Sequence, residues 1–531
     1  MSLNASTHLR GSVSGLLFQA ACLIVGLLLT PVILTTLGAE LYGVWALLNV
    51  LTTYESVSDL GIPAAIVVFV NKNRNTEAKN RLITVGVLAN VALTLLVILL
   101  LIAFKSPIIR LLFKVPPQLV PATELAYSLT LGALVLMVLA RSLSAVLDAF
   151  QRVDIRFAVE TIGMLAWAGI TWGLLHRGFG LSGVVSATLI VAGLRVVVMA
   201  AATQRILPQL RFRLALSRDL LSEILGYGIK VQGASLGVSL SDPLLKSLAG
   251  AGLTTTEVGA IQVGGSVASV PNSLAHSAIA NLFPAIAERH GAEDRAGAGR
   301  LASRYLLYVI AFVVPITVLF LFSAPSLVRL WLGDSYPLIV ASMRLLALAY
   351  AFRALAMVPW RVSWGLGSPQ DSSIAMILHL LLLAAGGGGM LVLSSFSYRG
   401  ILLVYLCSYG ISALYLFWCM QKRLPGFYSV EFRWLLQSAG WVLLVSVSGG
   451  ILYQIIGSMG LPSDLHVLLA DALVLIFSYV VILVLAIPEA EKDVLHQLLR
   501  SPVQRLRALA GRSNQAIDHP GTGTDEPFER M

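Results

Sequence analysis

Charged residues are scarce in this sequence of 531 residues. Lysine, arginine, aspartate and glutamate make up 12% of it, whereas hydrophobic residues make up 57%. A soluble globular domain carries about 25% charged residues, so this chain has too few charges to cover a surface exposed to water. The apolar residues also form long runs, such as 91–104 and 472–487. A bilayer core needs about 20 apolar residues per helix, and the composition therefore predicts an all-α integral membrane protein.

Cysteines and catalytic motifs are equally few. The three cysteines (Cys22, Cys407 and Cys419) lie inside apolar runs and have neither a metal-ligand spacing nor a disulfide pattern. We find no Asp-x-Asp, no P-loop and no arrangement of a nucleophile with a base. The first apolar segment, 13–37, is too long for a signal peptide and is interpreted as a retained span. We therefore expect no enzyme activity, no catalytic residue, no metal and no cofactor.

Fourteen membrane spans are predicted, with several long enough to tilt. They cover residues 13–37, 41–70, 82–104, 122–150, 156–175, 181–203, 222–250, 256–287, 301–324, 337–366, 372–394, 399–420, 434–457 and 464–487. Most lysines and arginines lie in the loops after even-numbered spans and in the tail. The loops after odd-numbered spans hold only Lys105, Arg110, Lys114, Arg177, Arg329 and Arg399. By the positive-inside rule, both termini are expected in the cytoplasm of a bacterial inner membrane, and the net charge of +10 reflects topology rather than nucleic-acid binding.

The loops between the spans are too short to form a folded domain. The expected layout is an N-lobe bundle (1–203), a cytoplasmic linker (204–221), a C-lobe bundle (222–420), two further spans (434–487) and a cytoplasmic tail (488–531). In the tail, 489–512 suits a basic amphipathic helix on the membrane surface, and the remainder is polar and expected to be disordered.

The two lobes share a weak internal pattern. Gly43-Val44-Trp45-Ala46 opens span two, and Gly259-Ala260-Ile261-Gln262 opens span eight. Pro31 and Pro63 are expected to interrupt spans one and two, and Pro243 and Pro271 to interrupt spans seven and eight. Broken helices at matching positions of two halves point towards a transporter binding site.

Several motifs resemble the Wzx-type polysaccharide and O-antigen flippases of the MOP transporter superfamily. Residues 37–45 (LGAELYGVW) resemble the short turn between the first two spans of that family, and 58–61 (SDLG) its "DLG" run. Residues 242–248, followed by Glu257-Val258-Gly259, resemble its span-seven pattern, and 367–370 (GSPQ) its turn after span ten. In place of the basic residue expected after Asp242, this chain has Pro243, which puts a transferred role for that neighbourhood in doubt.

The resemblance implies two pseudo-symmetric six-helix bundles around a central cavity, with spans thirteen and fourteen as additions. It implies alternating access and a cargo of undecaprenyl-diphosphate-linked glycan moved to the periplasmic leaflet. The expected partners are that glycan, membrane lipids and a polysaccharide polymerase or export complex.

Positively charged residues at membrane depth are the candidate substrate contacts, because an ionised side chain there costs at least about 2.5 kcal/mol and usually faces protein or water. Arg353 is the first candidate, because guanidinium suits a diphosphate. Either it binds substrate, or it pairs with Asp59 or Asp242 of another span. The other candidates are Lys230, Arg141, Arg361 and Lys246.

Acidic residues at depth are the candidate ion-coupling groups. Glu55 and Asp59 lie four residues apart on one face of span two, where they either form a proton or cation coupling site, with one of them holding a proton, or pair with an arginine of a neighbouring span. Asp242 is the third candidate, and it either takes part in coupling or neutralises Lys246 one turn away. Arg141 either lines a cavity or pairs with Asp148.

Three functions are weighed on these features. The flippase is favoured by the resemblance and by the cations at depth. A membrane polysaccharide polymerase or glycosyltransferase is disfavoured by the short periplasmic loops and by the missing acidic metal motif. Other MOP-superfamily exporters, for a peptidoglycan precursor or for drugs, stay open, although basic residues at depth argue against a cationic drug.

Overall fold

The computed structural model describes residues 5–53, 59–72, 75–150, 152–208, 218–279, 282–333 and 336–424. Spans thirteen and fourteen, the tail and half of the linker (209–217) lie outside these residues, as does Glu55. The side chain of Lys230 is also outside the description.

Helices form nearly all of the described architecture, with short helical turns at 105–112 and 117–119, and the described residues contain no strand. They are α1 (Ala5–Thr53), α2 (Ile62–Lys72), α3 (Thr76–Ala103), α4 (Val120–Ala149), α5 (Val153–His176), α6 (Gly180–Ile206), α7 (Arg218–Gly252), α8 (Thr255–Ala268), α9 (Val270–Ala278), α10 (Leu282–Gly291), α11 (Arg295–Leu332), α12 (Pro337–Gly365), α13 (Gln370–Val392) and α14 (Tyr398–Arg423). Nine of the helices in the described part are long and apolar enough to cross a membrane. The chain is therefore a multi-pass helical membrane protein.

The first twelve predicted spans each coincide with one helix or with a broken pair or trio. α1 contains span one and the start of span two. Gly38, with φ 75° and ψ 165°, interrupts the helical backbone between them. Glycine adopts this conformation without a Cβ clash. Span two is broken at Leu60 (φ 45°) and Gly61 (φ 73°), and α2 begins directly after them at Ile62. Span eight is divided into α8, α9 and α10.

The prolines act differently from the prediction. Pro31 and Pro243 lie inside continuous helices, so the expected interruptions there are wrong. Pro63 and Pro271 stand instead in the first turns of α2 and α9. A first-turn proline lacks only an N–H that the helix would leave unpaired, and its fixed φ favours a helix start. The two halves therefore share the same device: a continuous helix with an internal proline, then a broken helix that restarts at a proline.

Apolar packing between the two halves is extensive at one end of their interface and limited at the other. One large core contains residues of both halves, such as Leu47, Tyr127 and Leu245. A second core lies wholly in the C-terminal half, around Ile286. A third lies in the N-terminal half around Ile83, with Ile224 as the buried contribution of α7. The halves are thus held by a continuous core at one end and by far less apolar packing at the other.

Glycines allow the closest contacts between the halves at both ends of this interface. A Cβ on Gly43 would lie 1.6 Å from the carbonyl oxygen of Thr255, and one on Gly61 would lie 2.3 Å from that of Gly228. Along α7, Gly228 and Gly252 are separated by about 36 Å at 1.5 Å per residue, so the two contacts lie at opposite ends. We call them the Gly43 contact and the Gly61 contact.

Replacing Gly43 by alanine is expected to open the Gly43 contact, because the new methyl group must displace backbone. In a background lacking the three native cysteines, Thr255→Cys reports on this contact, since Thr255 is only 4% exposed. A membrane-impermeant maleimide should label that cysteine several-fold faster when Gly43→Ala is present. Gly26→Ala is the control, because its Cβ would meet nothing within 4 Å. Equal labelling in the two backgrounds would show that the halves do not depend on this contact.

Candidate functional site

A polar cavity of about 490 Å³ lies within the N-terminal half, between α2, α4, α5 and α6. Arg141 of α4 lines it, and its Nε lies 2.8 Å from Oδ2 of Asp59. The Asp59 side chain is 1% exposed, and its Oδ1 accepts a hydrogen bond of 2.9 Å from the Gly61 N–H. Asp59 therefore ties the arginine of one helix to the backbone turn that forms the Gly61 contact.

Two further ion pairs line the same cavity. Arg156 Nε lies 2.8 Å from Asp148 Oδ1, and Arg195 Nη2 lies 3.0 Å from Glu160 Oε2. Asp148 thus pairs with Arg156 rather than with Arg141. Each arginine in the wall of this cavity has one carboxylate partner, so the charges of the lining balance.

A smaller cavity of about 280 Å³ lies within the C-terminal half, and we call it the C-half cavity. Its wall contains two arginines of α12, Arg353 and Arg361, which lie eight residues and so about 12 Å apart along the helix axis. Trp360, Trp364 and Tyr409 supply aromatic surface beside them. α7, α9, α13 and α14 complete the wall.

Arg353 is held by a carboxylate from α7. Its Nη1 lies 3.4 Å from Asp242 Oδ2, and its guanidinium carbon lies 5.8 Å from the ring centre of Tyr409. The other oxygen of Asp242 accepts hydrogen bonds from the hydroxyls of Tyr350, at 3.1 Å, and Tyr405. The sequence left two roles open for Arg353, substrate binding and an ion pair. The ion pair with Asp242 is present in the structure. The same guanidinium also faces the C-half cavity.

A hydroxyl and imidazole network supports this pair from behind. Ser241 Oγ lies 2.7 Å from His379 Nε2 and 2.7 Å from the Tyr409 hydroxyl. The His379 ring is stacked on Tyr409 with centroids 3.9 Å apart, and its side chain is fully buried. These contacts fix the tyrosines that contact Asp242 and Arg353.

Arg361 has a different environment. Its Nη2 lies 3.3 Å from Nε2 of His276. Arginine can only donate hydrogen bonds, so this ring nitrogen is the acceptor and His276 is uncharged in this arrangement. Among the five arginines that line the two cavities, Arg361 is the one whose described contact is not a carboxylate.

Lys246 lies one turn after Asp242 on α7, and none of the ion pairs within 4 Å among the described side chains includes it. Asp242 pairs with Arg353 instead. Lys230 and Glu55 fall outside the described side chains. In the described part of the chain, no group of three or more His, Cys, Asp and Glu side chains is placed to hold a metal ion.

Sequence reasoning did not find the tyrosines around Asp242 and Arg353. Tyr405 and Tyr409 are four residues apart on one face of α14, with their hydroxyls directed to Asp242 and Ser241. That i, i+4 spacing inside an apolar span was the available signal. Tyr350, three residues before Arg353, was a second signal of the same kind.

The fold resembles those of solved transporters. The structure titled "Lipid II flippase MurJ, inward closed conformation" matches with a TM-score of 0.70 and 13% identity, over 88% of this chain and 98% of that chain. An inward-facing multidrug resistance MATE family transporter of the MOP superfamily matches with a TM-score of 0.58 and 16% identity, over 81% and 96%. A MATE structure in the straight conformation matches with a TM-score of 0.53 and 14% identity, over 80% and 97%. At these identities the likeness establishes the fold, which is of the MOP-superfamily type.

A search of curated proteins finds no match to this sequence. A family model does match it, over residues 36–341, which is more than half of the chain, and the description of that family is "Polysaccharide biosynthesis protein". The motifs at 37–45, 58–61 and 242–259 on which the sequence resembled a flippase lie within that match, whereas the one at 367–370 lies beyond it. The chain therefore belongs to this polysaccharide biosynthesis protein family.

Proposed function

We propose that the protein is a flippase that moves an undecaprenyl-diphosphate-linked oligosaccharide from the cytoplasmic to the periplasmic leaflet of a bacterial inner membrane. Family membership and the transporter fold support this proposal. The observation that carries it is Arg361, a cation facing a cavity with an uncharged histidine as its described contact. A guanidinium without a carboxylate partner can donate hydrogen bonds to a phosphate without first breaking an ion pair.

The cargo sets the physical problem. A sugar diphosphate cannot enter hydrocarbon unaided, because each unpaired polar group costs several kcal/mol there. Arg361 and Arg353 would replace part of the hydration of the diphosphate while the lipid tail stays in the bilayer. Arg141, Lys230 and Lys246 are the further candidate contacts along the path.

The unequal apolar packing at the two ends of the interface supports alternating access. The Gly43 contact belongs to the core that joins the two halves, whereas at the Gly61 contact only α7 of the C-terminal half packs into the N-terminal core. We propose that the end at the Gly61 contact opens first, towards the cytoplasm, and that cargo binding then allows the other end to open. This requires two arrangements of similar free energy.

A different cargo of the same superfamily is the second candidate. The MurJ neighbour is titled a lipid II flippase, and lipid II would present the same chemistry of a lipid diphosphate to Arg361. The excess positive charge of the C-half cavity disfavours cationic drugs, because like charges repel. Supplying lipid II and another lipid-linked glycan in parallel separates the two lipid cargoes.

Arg361→Gln is expected to slow translocation at least tenfold, because it removes the cavity cation and keeps a hydrogen-bonding side chain. The measurement is the rate at which an undecaprenyl-diphosphate-linked oligosaccharide reaches the opposite leaflet of proteoliposomes. Arg177→Gln is the matched control, since Arg177 is exposed at the end of α5 and lines neither cavity. A wild-type rate in the Arg361 variant would contradict the proposed diphosphate contact.

Arg353→Gln and Asp242→Asn are each expected to destabilise the protein, because each leaves one charge without its partner. The pair is partly exposed, with side-chain exposures of 17% and 37%, so we expect a loss of about 2 kcal/mol rather than the 3–5 kcal/mol of a fully buried pair. The double variant should recover part of this loss. Thermal unfolding of the four proteins in detergent measures it, and strictly additive effects would show that the ion pair makes no contribution.

Asp59 is our proposed coupling group. Its carboxylate contacts both Arg141 and the Gly61 N–H, so protonation or cation binding there would change the turn that forms the Gly61 contact. Glu55 is the second proposed member of this site, and Asp242 is the proposed coupling group of the C-terminal half.

Asp59→Asn is expected to abolish the stimulation of translocation by an imposed proton or sodium gradient. The wild type should be stimulated several-fold in proteoliposomes carrying that gradient. Asp154→Asn serves as the control, because Asp154 also pairs with an arginine, at 3.1 Å, but lies outside both cavity linings. If the Asp59 variant responds to the gradient like the wild type, coupling resides elsewhere.

A further inference from the structure

The aromatic wall of the C-half cavity has a feature that phosphate binding does not explain. Trp360 and Trp364 lie one turn apart on α12, with ring centroids 6.3 Å apart and planes at 56°. Phe283 of α10 meets the Trp364 ring edge to face at 6.3 Å. Arg361 lies between the two tryptophans in sequence, so all three project within about 100° of one another around the helix.

The indole N–H of Trp364 is buried and has no hydrogen-bond partner among the described atoms. This group is a donor only, and a buried tryptophan normally finds an acceptor for it. A tryptophan that merely anchors a helix at the membrane interface would keep its N–H in water. The unpartnered donor in a cavity wall therefore points to an acceptor that a ligand supplies.

The size of the cavity limits that ligand. About 280 Å³ is just below the range of about 300–1,000 Å³ that is typical of small-molecule sites. The cavity can therefore hold one sugar ring, and a chain of several sugars would have to extend outside it. Met357 and Met376 give the remaining wall an adaptable apolar surface.

We propose that the C-half cavity is a subsite for a single pyranose, namely the sugar that is bonded directly to the diphosphate. The C–H groups of one face of that sugar would pack against Trp360 and Trp364, whose ring faces carry partial negative charge. A ring or hydroxyl oxygen would accept the Trp364 N–H after a rotation of the indole brings this group, which is closed off in this arrangement, to the cavity surface. Arg361, held by His276 at the edge of the same wall, would contact the adjoining phosphate.

The subsite makes the first sugar, rather than the whole repeat unit, the part of the cargo that this cavity discriminates. Sugars further along the chain would remain in the space between the two halves. The inference rests on the proposed function, because it assumes that a sugar diphosphate enters the protein.

The test measures dissociation constants of the full-length protein in detergent by calorimetry. The probes are farnesol, farnesyl diphosphate and a set of farnesyl diphosphates that each carry one pyranose (glucose, galactose, N-acetylglucosamine or N-acetylgalactosamine). The readout is the ratio of the constant for farnesyl diphosphate to the constant for each sugar-bearing probe. In the wild type we expect this ratio to reach about tenfold for at least one sugar, which corresponds to about 1.4 kcal/mol.

Trp364→Phe should reduce that ratio about fivefold, because phenylalanine keeps a ring and removes the N–H. Trp360→Leu should reduce it similarly by removing the second aromatic face. Trp172→Phe is the matched control, because Trp172 lies on α5 of the N-terminal half, is 52% exposed and does not line the C-half cavity. Its ratio should equal that of the wild type.

The outcomes distinguish the sugar subsite from the proposed diphosphate contact of Arg361. Arg361→Gln should weaken both kinds of probe by a similar factor, and its failure to do so would count against the proposed diphosphate contact. A ratio near one for every sugar in the wild type, or a ratio unchanged in both tryptophan variants, would overturn the subsite and leave that contact intact. Tighter binding of farnesol than of the sugar-bearing probes would show that the cavity takes a lipid chain.

Discussion

The cost of placing ionised side chains inside a helical membrane protein determines how the interior of this molecule is arranged. An arginine or aspartate at membrane depth must find a counter-charge, water or both. In the N-terminal half, Arg141, Arg156 and Arg195 each meet a carboxylate at 3.0 Å or less. In the C-terminal half, Arg353 meets Asp242, and Arg361 meets a histidine. The resulting asymmetry, one balanced cavity and one with excess positive charge, is what distinguishes the two halves chemically.

Apolar packing supplies the second constraint, and it acts on the same interface. A continuous core through both halves stabilises the end at the Gly43 contact, because separating the halves there would expose large buried side chains such as Tyr127 and Leu47. At the other end only α7 of the C-terminal half packs into the N-terminal core, and close backbone contact at Gly61 and Gly228 provides the seal. Asp59 connects the two constraints, since it belongs to an ion pair and also to the turn that forms this seal.

Much of the architecture of the described part of the chain, which ends at Leu424, was predictable from the sequence. Apolar runs of about bilayer length located the long helices, because each crossing of the bilayer needs about 20 apolar residues. The prolines were harder to interpret. Pro31 and Pro243 lie in continuous helices, whereas Pro63 and Pro271 begin new ones, because the effect of a proline depends on its position relative to a helix start. The sequence contains the residue but not its position within a helical turn.

The sequence by itself determined the class of the protein, its spans and the identities of the charged residues that need partners. Composition and hydropathy suffice for this, because they measure the transfer of each segment into hydrocarbon. Only the tertiary structure decided which charges meet. Asp242 pairs with Arg353, 111 residues away, rather than with Lys246 one turn away, and the tyrosines of α14 complete its shell. Such partners are set by how helices distant in sequence pack side by side, and helical periodicity within a single span carries no information about that packing.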